Sequence, residues 1–99
     1  MEIRKELNGT ELTFFLSGDL NSSTAPALEA EIKESLKDIT KLVFDFSDLL
    51  YVSSAGLRIL LVAQKIMSRQ GDMIVRHPNQ DIMEVFTITG FVNILTIEN

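Results

Sequence analysis

Two kinds of apolar spacing alternate along this chain of 99 residues. Short runs rich in β-branched and aromatic residues are typical of strands, whereas apolar residues three and four positions apart are typical of amphipathic helices. Strands are predicted at residues 3–7, 12–16, 41–46, 72–76 and 92–97, and helices at 24–37, at 54–70 and from Pro78-Asn79 to Gly90. The order β-β-α-β-α-β-α-β predicts the α/β class. Right-handed crossovers then build a mostly parallel sheet of four to five strands with an antiparallel edge hairpin, flanked by three helices.

Local signals indicate how these elements begin and end. Asn8-Gly9 predicts a type I′ turn between the first two strands, because both central residues of that turn need a positive φ. Ser23 or Thr24 is expected to cap the first helix, and Gly71 is expected to end the second.

Composition excludes several classes of protein. The length fits one domain with one core, and the absence of cysteine excludes disulfides and thiolate metal sites. No apolar run reaches the roughly 18 residues of a membrane span, and the N-terminus lacks a signal-peptide pattern. We therefore expect a cytoplasmic protein with no membrane partner.

The charge balance is acidic, with a formal net charge of −5 and a pI of about 4.7. Such a surface repels phosphate backbones, which disfavours direct nucleic-acid binding. The basic residues are scattered apart from Lys65 and Arg69 on one predicted helix, and we interpret them as a solvated face.

Ser53-Ser54-Ala55-Gly56 lies where a predicted strand passes into a helix. Serine at a helix start commonly caps free N–H groups, and capping is the more frequent use. The same N–H groups and the positive end of the helix dipole would also stabilise a phosphate attached to a serine at this point. The residues alone leave both interpretations open.

An enzyme is not predicted. A nucleophile elbow needs glycine two residues before the serine, where Val52 stands, and His77 is the only histidine that could act as a base. Asp45 and Asp48 have no histidine nearby in the sequence to complete a metal site, so capping or solvated roles are expected for them. No glycine-rich phosphate loop occurs, and no cofactor or metal is expected.

Three segments together resemble a known family. DLLYVSSAGL at residues 48–57 is similar to the signature of anti-sigma factor antagonists, the bacterial branch of the STAS domains. LSGDLN at 16–21, followed by Ser23-Thr24-Ala25, and FTITGF at 86–91 agree with the same family. The likeness extends in order over nearly the whole chain.

The resemblance implies a single STAS domain over residues 1–99 that switches between partners. The unphosphorylated protein would bind an anti-sigma factor that is also a serine protein kinase, which frees the sigma factor. Phosphorylation of Ser54 would abolish that binding, and a separate serine phosphatase would reset the protein; Ser53 is the second choice of acceptor. The expected partner-binding residues are Asn21, Ser22, Ser53, Ser54, Ala55, Gly56 and Arg58.

The chain departs from the family pattern near the acceptor. Ser53 and Asn21 stand where acidic residues are usual, and Arg58 stands where glycine is frequent. The resemblance is also compatible with a non-phosphorylated STAS scaffold, a subunit of a larger signalling or transport assembly.

Overall fold

Five strands form one sheet in the order β1-β2-β3-β4-β5. A computed structural model describes residues 1–99. β1 pairs with β2 antiparallel, and the other neighbours pair parallel. The elements are β1 Glu2–Asn8, β2 Glu11–Leu20, α1 Ala25–Ser35, β3 Lys41–Val52, α2 Ser54–Met67, β4 Asp72–Arg76, α3 Gln80–Thr89, a 3₁₀ turn Phe91–Asn93 and β5 Thr96–Glu98.

All three helices pack on one face of this sheet, as successive right-handed crossovers in one direction require. Their buried residues form one core cluster with the alternate residues of the strands, and Phe14, Phe44, Phe46 and Phe86 run through it with ring centroids 5.6, 6.3 and 6.5 Å apart. Val43 and Ile74 are buried but lie outside that cluster, on the opposite face of the sheet. Burial of each of the four phenylalanine side chains contributes about 1.5–3 kcal/mol to the stability of the fold.

The α/β class, the element order and the antiparallel edge hairpin are therefore confirmed. The turn of that hairpin is not the predicted one. Asn8 pairs with Glu11 inside the ladder, so the two connecting residues are Gly9 and Thr10, and only Gly9 has a positive φ, at 65°. A glycine at the first central position is the mark of a type II′ turn, which fits the strand twist equally well.

Two central strands are longer than predicted. β2 continues through Gly18 to Leu20, and β3 continues to Val52. The register of β2 against β3 shifts twice, once between Phe15 and Ser17 and once between Gly18 and Asp19. The polar residues and Gly18 suggested a loop, but parallel pairing holds them in the sheet, and the φ of +87° at Gly18 is one that glycine tolerates. The extension brings both strand ends close to the start of α2.

The prediction of a strand over residues 92–97 is wrong in its first half. Gly90, in the left-handed conformation, ends α3 as predicted, and Phe91–Asn93 then form the 3₁₀ turn. In the segment that follows α3, Leu95 is buried, whereas Val92 and Ile94 are exposed. Only Thr96–Glu98 pair with β4. The first half of the apolar run therefore forms a turn, after which Leu95 packs into the core.

The second helix ends at Met67, earlier than predicted, and Gly71 does not adopt a left-handed cap. Gly71 follows a turn, and a Cβ there would overlap the backbone carbonyl of Thr40. Close approach of two backbones, not positive φ, explains this glycine. None of the three helices combines the length and apolarity that crossing a bilayer requires.

Candidate functional site

The loop after β2 and the loop after β3 meet at the carboxyl end of the sheet. Leu20 pairs with Val52 as the last residues of the parallel ladder, and the N–H of Ser53 donates to the carbonyl of Leu20 at 2.9 Å. Such an edge of an open α/β sheet is where binding sites generally form. The two segments predicted to bind a partner are thus neighbours in space.

Asn21 shapes the first of these loops. Its Oδ1 accepts from the backbone N–H groups of Ser23 and Thr24 at 2.9 and 3.2 Å. The N–H of Asn21 donates to Thr24 Oγ1 at 2.9 Å, and this hydroxyl donates to the carbonyl of Asp19 at 2.8 Å. The predicted capping of α1 by a Ser23 or Thr24 side chain is therefore wrong, because the Thr24 hydroxyl turns back into the loop and makes no cap hydrogen bond.

Gly56 sets how closely α2 approaches the end of β2. A Cβ at this position would lie 2.7 Å from Leu20 Cγ and 3.0 Å from the Leu20 carbonyl oxygen. Gly56 is buried, so it offers the surface no side chain and contributes by close packing. Its place in the predicted partner-binding set stays a prediction.

The start of α2 carries no side-chain cap. Ser53 is the N-cap residue with extended backbone, φ −92° and ψ 177°, but its side chain makes no cap hydrogen bond. The first intrahelical bond runs from the N–H of Leu57 to the carbonyl of Ser53 at 2.9 Å. The N–H groups of Ser54, Ala55 and Gly56 are therefore without intrahelical partners, as at any helix start. The more common use of such a serine, side-chain capping, is not realised here.

The two adjacent serines have different environments. Ser54 is exposed at the first residue of α2, whereas the hydroxyl oxygen of Ser53 is buried and has no hydrogen-bond partner. Arg58 is exposed four residues after Ser54, on the same side of the helix, and makes no ion pair. Ser22 is also exposed, while Asn21 and Ala55 are half-buried.

Sequence reasoning missed two exposed apolar residues beside these loops. Leu50 and Tyr51, at the end of β3, are 65% and 51% exposed. The same stretch is tied to the start of α3, since Asn79 Nδ2 donates to the carbonyl of Leu49 at 3.2 Å while its Oδ1 caps α3 through Ile82 N–H at 2.8 Å. No sequence signal separated Leu50 and Tyr51 from the buried residues of the strand. Exposed aromatic and aliphatic side chains next to polar loops are typical of protein-binding surfaces.

The other candidate groups have ordinary structural roles. Asp45 accepts from the N–H and hydroxyl of Ser47 at 2.9 and 2.6 Å, and no group of three His, Asp or Glu residues is placed to hold a metal ion. His77 is exposed in the connection between β4 and α3 with φ 57°, and its N–H donates to the carbonyl of Glu98 at 2.8 Å.

The fold and this site define a class of protein. The family model described as the STAS domain matches residues 2–99, and the chain belongs to that family. Among named relatives, BtrV of Bordetella bronchiseptica, designated a candidate anti-sigma factor antagonist, is 40% identical over 86 residues, which cover 85% of this chain and 74% of BtrV.

Solved structures share the architecture. An anti-sigma factor antagonist from Mycobacterium paratuberculosis superposes with a TM-score of 0.89 at 23% identity, covering 98% of this chain and 84% of that one. The Bacillus cell fate determinant SpoIIAA in its phosphorylated form gives a TM-score of 0.77 at 18% identity, covering 99% of this chain and 92% of that one. At these identities the likeness concerns the fold.

Proposed function

We propose that this protein is an anti-sigma factor antagonist controlled by phosphorylation of Ser54. Its unphosphorylated form binds an anti-sigma factor that is also a serine protein kinase, and a sigma factor is thereby released to act in transcription. Phosphorylation ends the binding, and a serine phosphatase restores it. The protein acts in the cytoplasm as a binding partner and not as a catalyst.

The observation that carries this proposal is the contrast between Ser54 and Ser53. A kinase must reach the hydroxyl that it phosphorylates, and Ser54 is exposed whereas the Ser53 oxygen is buried. The free N–H groups of the first turn favour an added phosphate at Ser54 through hydrogen bonds and the helix dipole. The kinship with BtrV and the fold shared with a protein that has a phosphorylated form support the same assignment.

The surroundings of Ser54 suit a protein partner. Ser22 and Arg58 supply polar contacts, and the exposed Leu50 and Tyr51 supply apolar area at the same end of the sheet. A phosphate introduced among closely packed groups brings about −1.5 to −2 charges that the partner would have to desolvate. Phosphorylation therefore lowers affinity at the interface without any change of fold.

Labelling by the cognate kinase tests the assignment directly. The Ser54→Ala variant should fold, take up no phosphate and remain bound to the kinase in the presence of ATP. Ser53→Ala is the matched control and should be labelled like the wild type, with mass spectrometry locating the phosphate. Labelling that survives Ser54→Ala and disappears in Ser53→Ala would move the acceptor by one residue. No labelling of the wild type by any kinase of the host would favour a non-phosphorylated scaffold.

A further inference from the structure

The charges of this acidic protein are segregated between two neighbouring helices. The segment 54–71, which contains α2, has no Asp or Glu, and the chain has no Lys or Arg after Arg76. Lys65 and Arg69 are exposed, and neither takes part in an ion pair. Since the protein carries 14 acidic and 9 basic side chains, an unpaired basic stripe on its surface is a distinct feature.

The basic stripe on α2 also carries apolar surface. Val62 and Ile66 are half-buried, and together with Lys65 and Arg69 they line an open groove of about 250 Å³. Val62 and Lys65 are three residues apart on α2 and so share one side of the helix, opposite the buried Ala63 and Met67. Arg69 lies in the turn that follows the helix and lines the same groove, so it extends this basic stripe.

The outer side of α3 has the complementary character. Asp81 and Glu84 are exposed, and neither forms an ion pair. Ile88, one turn after Glu84, is 84% exposed, the highest value of any large apolar side chain in the protein. The spacing of three and four places these side chains on one stripe, opposite the buried Ile82 and Phe86.

The two stripes match in length and order if two copies of the chain face each other. α2 and α3 each lead from the carboxyl end of one strand to the amino end of the next parallel strand, so they run in the same direction. A two-fold axis across them sets α2 of one copy antiparallel to α3 of the other. Lys65 and, in the turn after α2, Arg69 then lie opposite Glu84 and Asp81. Val62, about 4.5 Å from Lys65 along the helix axis, lies opposite Ile88.

We propose that this protein forms a two-fold symmetric dimer through the basic stripe of α2 and the acidic stripe of α3. The symmetry makes each contact twice and closes the assembly, so no further copies are added. Few residues on each side take part, which places the interface in the weak, concentration-dependent class. This inference is independent of the proposed function, because it uses the distal part of α2 and the segment after it, and not the first turn, which carries Ser54.

A charge-swap experiment followed by sedimentation equilibrium tests the dimer. Variant one carries Lys65→Glu and Arg69→Glu, and variant two carries Asp81→Lys and Glu84→Lys. Each alone should be monomeric, because like charges then face each other, with the dimer dissociation constant raised at least tenfold. An equimolar mixture should form a one-to-one dimer, since opposite charges again meet. The control carries Lys33→Glu on α1 and Lys37→Glu in the turn after α1. It makes the same change in net charge as variant one and should dimerise like the wild type.

Two further measurements keep the outcome decisive if a charge-swap variant folds poorly. High salt should dissociate the wild-type dimer, and Ile88→Asn, a change at an exposed position, should weaken it several-fold. A wild type that stays monomeric up to about 1 mM at low salt would overturn the proposal. So would a mixture of folded variants that fails to dimerise, or a monomer that instead binds anionic lipid vesicles through Lys65 and Arg69.

Discussion

The two adjacent serines at the start of α2 differ in burial and in hydrogen bonding. Ser53 is the N-cap residue by backbone geometry, yet its hydroxyl oxygen is buried without a partner, while Ser54 faces solvent. A buried hydroxyl that makes no hydrogen bond costs about 1–3 kcal/mol, so structures rarely retain one without a reason.

The environment of Ser53 gives a stability prediction. Ser53→Ala should leave the free energy of unfolding unchanged or raise it by up to about 1–3 kcal/mol, because the variant loses no hydrogen bond and no longer buries an unpaired hydroxyl. An N-cap serine that truly capped α2 would cost about 1 kcal/mol on removal. Urea denaturation of the wild type and the variant measures the difference. A loss of 1 kcal/mol or more would show that the hydroxyl does cap the helix in solution.

At the level of elements, the loop between β2 and α1 is built around Asn21. This side chain holds residues 23 and 24 through its Oδ1, and Ser22, between Asn21 and Ser23, is exposed. The loop follows Leu20 directly, whose carbonyl accepts from the N–H of Ser53. The loop therefore reaches the candidate site in a fixed shape that does not depend on a partner.

Two substitutions of Asn21 should show whether the loop needs the asparagine itself or only a hydrogen-bond acceptor at this position. Asn21→Ala should destabilise the fold by about 1–2 kcal/mol and weaken partner binding, because the acceptor for two backbone N–H groups is lost. Asn21→Asp keeps an acceptor near the start of α1 and should retain wild-type stability. Ser22→Ala is the control, since its hydroxyl takes no part in the loop's hydrogen bonds. In chemical denaturation, Asn21→Ala should therefore have a clearly lower free energy of unfolding than Asn21→Asp and Ser22→Ala.

The element order could be predicted from the sequence because apolar spacing changes clearly between strands and helices. The long ends of β2 and β3 could not, because Ser17, Gly18 and Asp19 have the local preferences of a turn and are held in the sheet by pairing with β3. The failure at residues 92–94 has a similar origin, since an apolar run does not reveal which of its residues reach the core. In both of these segments, tertiary contacts decided the local structure.

The candidate site was predictable in position and not in detail. Its location followed from parallel strands, whose carboxyl ends meet, and the pairing of Leu20 with Val52 confirms that the two loops are adjacent. The uncapped start of α2, the buried Ser53 oxygen and the exposed Leu50 and Tyr51 depend on packing that sequence spacing does not specify.

At the level of the whole molecule, two kinds of surface lie on different parts of α2. Its first turn, with the loops after β2 and β3, forms the candidate partner site, and its distal part with the following turn carries the unpaired Lys65 and Arg69. A chain of this size can therefore accommodate a regulatory partner and a second copy of itself without competition for the turn that carries Ser54.

We propose that phosphorylation of Ser54 acts on the interface and leaves the fold intact. Negative charge at a helix N-terminus is worth about 0.3–1 kcal/mol in favour of the helix, so the phosphorylated protein should be at least as stable as the unmodified one. An effective switch needs a loss of partner affinity on the order of 10²–10⁴, or about 3–5.5 kcal/mol. Helix stabilisation is too small and has the wrong sign to produce such a loss, which must come from the interface.

The most direct measurement combines calorimetric melting of the unmodified and Ser54-phosphorylated proteins with titration of each against the partner kinase. We predict that the affinity for the kinase falls at least a hundredfold on phosphorylation, while the melting temperature stays the same or rises slightly. A melting temperature that drops by many degrees would show that the phosphate unfolds the start of α2. An unchanged affinity would contradict the role of Ser54 as the switch.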